Sequence, residues 1–160
     1  MSGKNVKTNA MRILDKENIN YVFHTYSHDD GLIDAVSICK KMDLPFEKVY
    51  KTLVTVGHSK NYYVFVLPAD KELDLKKAAF SVNEKNVSMI HVKDINKITG
   101  YIRGGCSPIG MKKQFKTVID KSCLNLETML VSAGKIGFQI EISPNDLIKA
   151  SGAETADILL

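Results

Sequence analysis

A lysine inside an apolar strand and a glycine-rich segment further along the chain are where the sequence departs most from what a folded core requires. Side chains alternate across a strand, so over residues 49–56 Val49, Lys51, Leu53 and Thr55 share one face, and Tyr50, Thr52, Val54 and Val56 the other. Both faces are largely apolar, and the strand is expected to be buried on both sides. A buried, unpaired ammonium is costly, so Lys51 must either snorkel out along its own aliphatic stem or reach into a polar cavity. The second segment, Gly100-Tyr101-Ile102-Arg103-Gly104-Gly105-Cys106-Ser107-Pro108-Ile109-Gly110, holds four of the chain's ten glycines. Adjacent glycines permit positive φ and let successive backbone N–H groups converge on one point, which suits a phosphate or the oxyanion of a carbonyl under attack. Such a segment serves equally well as a tight connection, and it matches neither the phosphate-binding loop nor the dinucleotide fingerprint.

Cys106 sits in that segment without a Cys/His signature, and a small residue filling a loop accounts for it better than a nucleophile does. His24 and His28 have the spacing of a helical metal site but fall on an apparent strand, where four residues span roughly 13 Å, too far to share one ion. No metal and no cofactor is expected. Arg103, Lys112, Lys113, Lys116 and Lys121 face Asp120 alone over residues 103–121, and this stretch accounts for the whole formal charge of +4. A solvated face is the ordinary meaning of such a run. With arginine only at Arg12 and Arg103, any nucleic-acid contact would be point-charge binding to phosphates, not forked base readout.

The elements that must position these residues are legible from periodicity and caps. Helices are predicted over 8–17, 34–42, 74–80 and 93–98, and a last one runs from Ser143-Pro144 to about residue 150, with proline where a missing N–H costs nothing. Strands are predicted over 21–27, and over 49–56 and 62–67 as a hairpin; the apolar runs 117–119, 128–132 and 138–142 follow. The expected class is mixed α/β (α+β): one compact domain over 7–160, with a mixed, twisted, partly closed sheet surrounded by helices and a flexible terminus at 1–6. At 160 residues, 44% hydrophobic and 25% charged, the chain reads as an ordinary folded domain. It has no apolar stretch of membrane-spanning length and no signal-peptide core. Its three widely spaced cysteines fit a reducing cytoplasm.

Three stretches together, Val49-Tyr50-Lys51-Thr52-Leu53, the glycine segment 100–110 and Val131-Ser132-Ala133-Gly134-Lys135-Ile136-Gly137, resemble the YbaK/EbsC family of aminoacyl-tRNA editing deacylases. The likeness spans nearly the whole chain and includes the His24-Thr25-Tyr26 strand and Gln139-Ile140-Glu141-Ile142. It implies an enzyme that removes a wrongly attached amino acid, typically cysteine, from the proline tRNA, with prolyl-tRNA synthetase as a transient partner and neither membrane nor DNA involved. It makes Lys51 and the loop residues Gly104, Gly105, Cys106 and Ser107 the catalytic set. Tyr26, Thr52, Tyr101, Pro108, Gly134 and Gln139 become the substrate-binding set, and Arg103, Lys112, Lys113, Lys116 and Lys121 the contacts to tRNA phosphates. Some members carry aspartate where Gln139 stands, and the stretch 29–36 is shorter than in those members.

An aminoacyl-tRNA is an activated ester, for which orientation and a stabilised oxyanion go far. The expected mechanism uses loop N–H groups for the oxyanion, Lys51 to position the terminal adenosine or ester, and the substrate's own thiol as attacking group. The alternatives are an alanyl-tRNA deacylase with an ordered water, and a non-catalytic module that binds tRNA or a synthetase.

Overall fold

A computed structural model of the chain describes residues 7–160; the terminus 1–6, for which flexibility is expected, lies outside the described residues. The described residues form five α-helices and eight strands, with β-strands following one another directly in the middle and late parts of the chain. Most helices start where a short polar side chain satisfies an N–H group that the first turn leaves without a carbonyl. Thr8 accepts from Met11 N at the start of α1 (Asn9–Lys16), Asp34 from Ser37 N before α2 (Ala35–Lys41), and Asp74 from Lys76 N and Lys77 N before α3 (Leu75–Ser81). The short α4 (Ile95–Thr99) ends on Gly100 at φ 86°, and α5 (Pro144–Ser151) is capped by Ser143.

The mixed α/β class holds, with the strands divided between two sheets. The larger has the order β4 (Val87–Met89), β2 (Tyr50–Gly57), β3 (Tyr62–Pro68), β5 (Lys116–Asp120), β8 (Glu154–Ala156). Its β2–β3 hairpin and β2–β4 pair are antiparallel, whereas β5 runs parallel to both β3 and β8. The smaller sheet is antiparallel, in the order β1 (Val22–Thr25), β7 (Phe138–Ile142), β6 (Met129–Ser132). A parallel bridge between Val49 and Leu130 ties the two together. β4 and β8 have no counterpart in the sequence reading. Each is three residues long, too short to show alternation, and is strand because a neighbour supplies its hydrogen bonds.

As expected, β2 is covered on both sides. Leu53 shares a face with Tyr63, Phe65 and Leu67 of β3 and packs under α3 against Ala78, Ala79 and Val82. The opposite face sends Tyr50 and Val54 into a second cluster with Met11, Leu14, Ile140, Ile142 and Leu147, between the two sheets and α1 and α5. Burying a large aliphatic or aromatic side chain contributes about 1.5–3 kcal/mol, so these clusters rather than helix propensity hold the short elements.

One polar network braces the small sheet. The Glu141 carboxylate accepts from the Thr128 hydroxyl at 2.5 Å and His24 Nε2 at 2.8 Å, and Lys48 Nζ lies 3.1 Å away. The Thr128 bond first, then His24 and Lys48, hold its pKa at about 2. A carboxylate whose pKa is depressed by folding contributes stability above its unfolded value, about 4.3, and loses it as pH falls toward the folded one. Urea unfolding at pH 7 and pH 2.5 should therefore show that Glu141→Gln removes about 2 kcal/mol of the acid-dependent stability, with little further loss on acidification attributable to this site.

Candidate active site

Half of one edge of β2 is open. β4 pairs only with Thr55, Val56 and Gly57, and β6 reaches the strand's start only through Val49. Odd-numbered residues bond across to β3, Ala69 N donating to the Val49 carbonyl and Gly57 N to that of Asn61, so the main-chain groups of Thr52 face the open side. A cavity of about 200 Å³ occupies this gap. Lys51, Thr52 and Leu53 form one wall and Arg103, Gly104 and Cys106 another. Ile33 and Ile38 close it from the α2 side, and Ser132 and Gln139 from the small sheet.

Lys51 is half-buried at this cavity and makes no ion pair among the described residues. Burial pushes its pKa below that of an ordinary lysine, and the charges of Glu72 and Asp70 counter only part of the effect. Two more polar groups are uncompensated: the Thr52 hydroxyl and the Oε1 of Gln139 are buried without a hydrogen-bond partner, and Gln139 is only 3% exposed. A buried, unsatisfied polar atom costs about 1–3 kcal/mol, so two such groups beside a half-buried ammonium mark a place prepared for a ligand's own donors and acceptors.

The glycine segment forms the facing wall. Gly104 has φ 84°, and a Cβ there would lie 2.6 Å from Ile33 Cδ1. A Cβ on Gly105 would lie 3.0 Å from Ile136 N and 3.2 Å from Lys135 Cα, so the loop rests on the β6–β7 turn through bare backbone. The Gly105 N–H donates to the Ile102 carbonyl and is spent on the turn. Gly104 and Cys106 line the cavity, and among the described residues their N–H groups have no partner. The Cys106 thiol is raised by burial to about 11, which leaves almost no thiolate near neutrality. The other expected residues of this segment act on its shape. Ser107 is fully buried with its hydroxyl accepting from Ile109 N, Pro108 is buried, and the Tyr101 hydroxyl donates to the Ile109 carbonyl at 2.6 Å. The Tyr101 ring lies 2.9 Å from the place a Gly134 Cβ would take, so the two hold each other behind the cavity wall. Tyr26, 8% exposed, is off the cavity wall; its hydroxyl lacks a partner and its N–H bonds to the Gly137 carbonyl.

The aminoacyl-tRNA editing domain profile matches residues 31–150, which covers the cavity and most of the chain. The chain belongs to the aminoacyl-tRNA editing domain family. It is 41% identical over 152 residues, 95% of this chain and 93% of the relative, to a protein of Enterococcus faecalis named "Putative Cys-tRNA(Pro)/Cys-tRNA(Cys) deacylase EbsC". A 100-residue stretch is 21% identical to part of a proline–tRNA ligase of Lactobacillus acidophilus, spanning 62% of this chain and 18% of the ligase. Two solved structures share the fold. The hypothetical protein APE2540 has a TM-score of 0.87 at 19% identity, over 96% of this chain and 100% of its own. A "putative trans-editing enzyme for prolyl tRNA synthetase" has a TM-score of 0.80 at 20% identity, over 97% of this chain and 99% of its own.

In this editing domain several cavity residues escape sequence reasoning: Ile33, Asp34 and Ile38 carry no motif, only Asp34, three residues before Ser37, announces itself as a helix cap, and Ser132 falls in the 131–137 stretch without being singled out there. What shapes the 27–34 wall is also remote in sequence. Lys41 Nζ donates to the carbonyls of Ser27 at 2.8 Å and Leu32 at 2.7 Å and to Asp30 Oδ1 at 2.7 Å, pinning the segment that sets Ile33 on Gly104.

The editing domain's five predicted phosphate contacts do not form one patch. Arg103 lines the cavity, whereas Lys112 donates to the Lys97 carbonyl, Lys113 is exposed, and Lys116 faces Glu154 at 3.7 Å. Lys121 follows the opposite end of β5 and neighbours Asp157. Among the described residues no three His, Cys, Asp or Glu side chains come together as metal ligands, and no helix is long and apolar enough to cross a membrane.

Proposed function

We propose that this chain is a trans-acting deacylase that hydrolyses mischarged aminoacyl-tRNA, above all cysteinyl-tRNA(Pro) and cysteinyl-tRNA(Cys), in the cytoplasm and in transient complex with prolyl-tRNA synthetase. The observation that carries the reading is the cavity itself, which combines a half-buried ammonium, unpartnered loop N–H groups and no nucleophile–base pair. That equipment orients an ester and stabilises an oxyanion but does not attack, so the attacking atom comes from the substrate. The cysteine sulfur adds to its own carbonyl carbon while the Gly104 and Cys106 N–H groups and Lys51 face the carbonyl oxygen. The carbon–oxygen bond to the ribose then breaks, and the ribose oxygen takes up the thiol proton. The thiolactone released is opened by water. Thr52 and Gln139 hold the aminoacyl group, and Gly105, Ser107, Pro108, Tyr101 and Gly134 keep the loop in shape; Tyr26 supports the wall from behind.

A panel of cysteinyl-, seryl-, alanyl- and prolyl-tRNA tests the reading. The cysteinyl ester should be discharged at least about tenfold faster than the seryl and alanyl esters, the margin expected when an intramolecular nucleophile is lost. Equal alanyl and cysteinyl rates would transfer the attack to a water ordered by Gln139 or Lys51. Binding of tRNA without discharge of any ester would leave a non-catalytic module. Adding prolyl-tRNA synthetase should bias discharge toward tRNA(Pro), and unbiased discharge with and without it would remove that partner.

A further inference from the structure

We infer, on the deacylase reading above, that Arg103 and Lys135 form the cationic rim that holds the single-stranded RNA phosphates next to the ester, in place of the lysine run that follows the glycine loop. The two residues stand on segments joined by main-chain contact. Where a Gly105 Cβ would be, Ile136 N lies 3.0 Å away and Lys135 Cα 3.2 Å, so Arg103 and Lys135 leave the surface on either side of one seam. Both are exposed, and neither is paired with a carboxylate among the described residues. Arg103 lines the cavity, and the exposed Lys135 holds its Nζ over the face of the Phe138 ring, 5.3 Å from the centroid, which fixes where its charge sits.

The α2 side of the mouth carries a carboxylate. Asp34 lines the α2 side, its carboxyl held below the usual range by the Ser37 hydroxyl and N–H, and the charges of Asp70 and Glu72 reach Lys51. A polyanion is turned away from that side and drawn to the other. The lysine run is poorly placed for the same task. Lys112 donates to the Lys97 carbonyl, Lys116 faces Glu154, and Lys116 and Lys121 sit at opposite ends of β5, more than about 13 Å apart along the strand. Lys113 and Lys121 are exposed without an ion pair among the described residues, but they stand on separate segments, one before β5 and one after it.

The salt dependence of tRNA binding and deacylation separates the two surfaces. Each phosphate contact to a single strand contributes about 0.7 to the slope of log affinity against log salt. In a potassium chloride titration, Arg103→Gln and Lys135→Met should each raise KM several-fold at low salt, flatten its salt slope by about 0.7 and leave kcat nearly unchanged. Lys135→Arg should restore the slope, and melting midpoints show whether each variant is folded. Lys113→Met and Lys116→Met should keep the wild-type slope; if they flatten it while the rim variants do not, the inference is overturned. The dissociation constant of uncharged tRNA is measured over the same salt range. If wild type binds but discharges nothing, the deacylase reading has failed and the rim still stands or falls on binding slopes alone.

Discussion

Lys51→Ala should lower the rate of cysteinyl-tRNA discharge by about 10²–10³-fold while tRNA affinity changes little, because a fixed charge at a developing oxyanion is worth that much when removed. The residue is suited to the task by its setting. It stands near the open end of the hairpin, in register with Leu67, on a strand covered on both faces, so its stem starts from a rigid point. Its ammonium meets a cavity whose other polar groups are neutral or main-chain, apart from Arg103 and Asp34 at the mouth. Single-turnover discharge beside tRNA binding makes the measurement, and Lys51→Met repeats it with the stem retained. The sign of the pH effects follows from desolvation, which lowers the Lys51 pKa below 10.5. The charged form is the working one, so the rate should fall as pH rises through that lowered value. Stability should move the opposite way. The unfolded chain binds the proton more tightly, so the cost of keeping Lys51 charged is present at neutral pH and is relieved as pH rises. Lys51→Met is thus expected to be inactive yet at least as stable as wild type at pH 7, a combination that a merely structural lysine would not give.

Gly105→Ala should reduce kcat by about 10–100-fold and stability by about 1–3 kcal/mol, the range for forcing a methyl group into a close-packed contact. The new Cβ would meet the main chain of Lys135 and Ile136, which has no side-chain rotamer with which to yield. The glycine loop must then lift from the β6–β7 turn, carrying Gly104 and Cys106 away from Lys51. Gly152→Ala is the informative comparison. That glycine ends α5 at φ 69° with open space around it, so alanine there should cost about 1 kcal/mol without touching kcat. Steady-state kinetics and thermal melts of the two variants make the comparison. Equal kcat values would mean that the seam at Gly105 does not set the loop's position.

The elements that position the site were readable where chemistry is local. Thr8, Asp34, Asp74 and Ser143 cap the helices they precede, and the hairpin follows from two runs of β-branched and aromatic residues around a polar turn. Lys51 stood out because a charge interrupts an apolar alternation, and the glycines because their density is unusual. What could not be read depends on partners distant in sequence. β4 and β8 exist through pairing, and the split into two sheets depends on β7 joining β1. That Gln139 and Thr52 are buried with unspent hydrogen-bonding atoms is a property of the cavity, invisible in residue types that more often lie at the surface. Spacing along the lysine run is likewise no guide to spacing on the surface, since β5 separates Lys116 from Lys121.

The Lys41 clamp bears on how such a domain can change its choice of amino acid. Two of the three oxygens it holds belong to the main chain, so the shape of the 27–34 wall is specified with little reference to the side chains the wall carries. Ile33 is therefore free to be replaced as far as the clamp is concerned. Its replacement would deepen or fill the cavity above Gly104 without costing the domain its fold. A family built this way can alter which aminoacyl group it accepts one wall residue at a time, while the strand bearing Lys51 and the seam at Gly105 stay as they are.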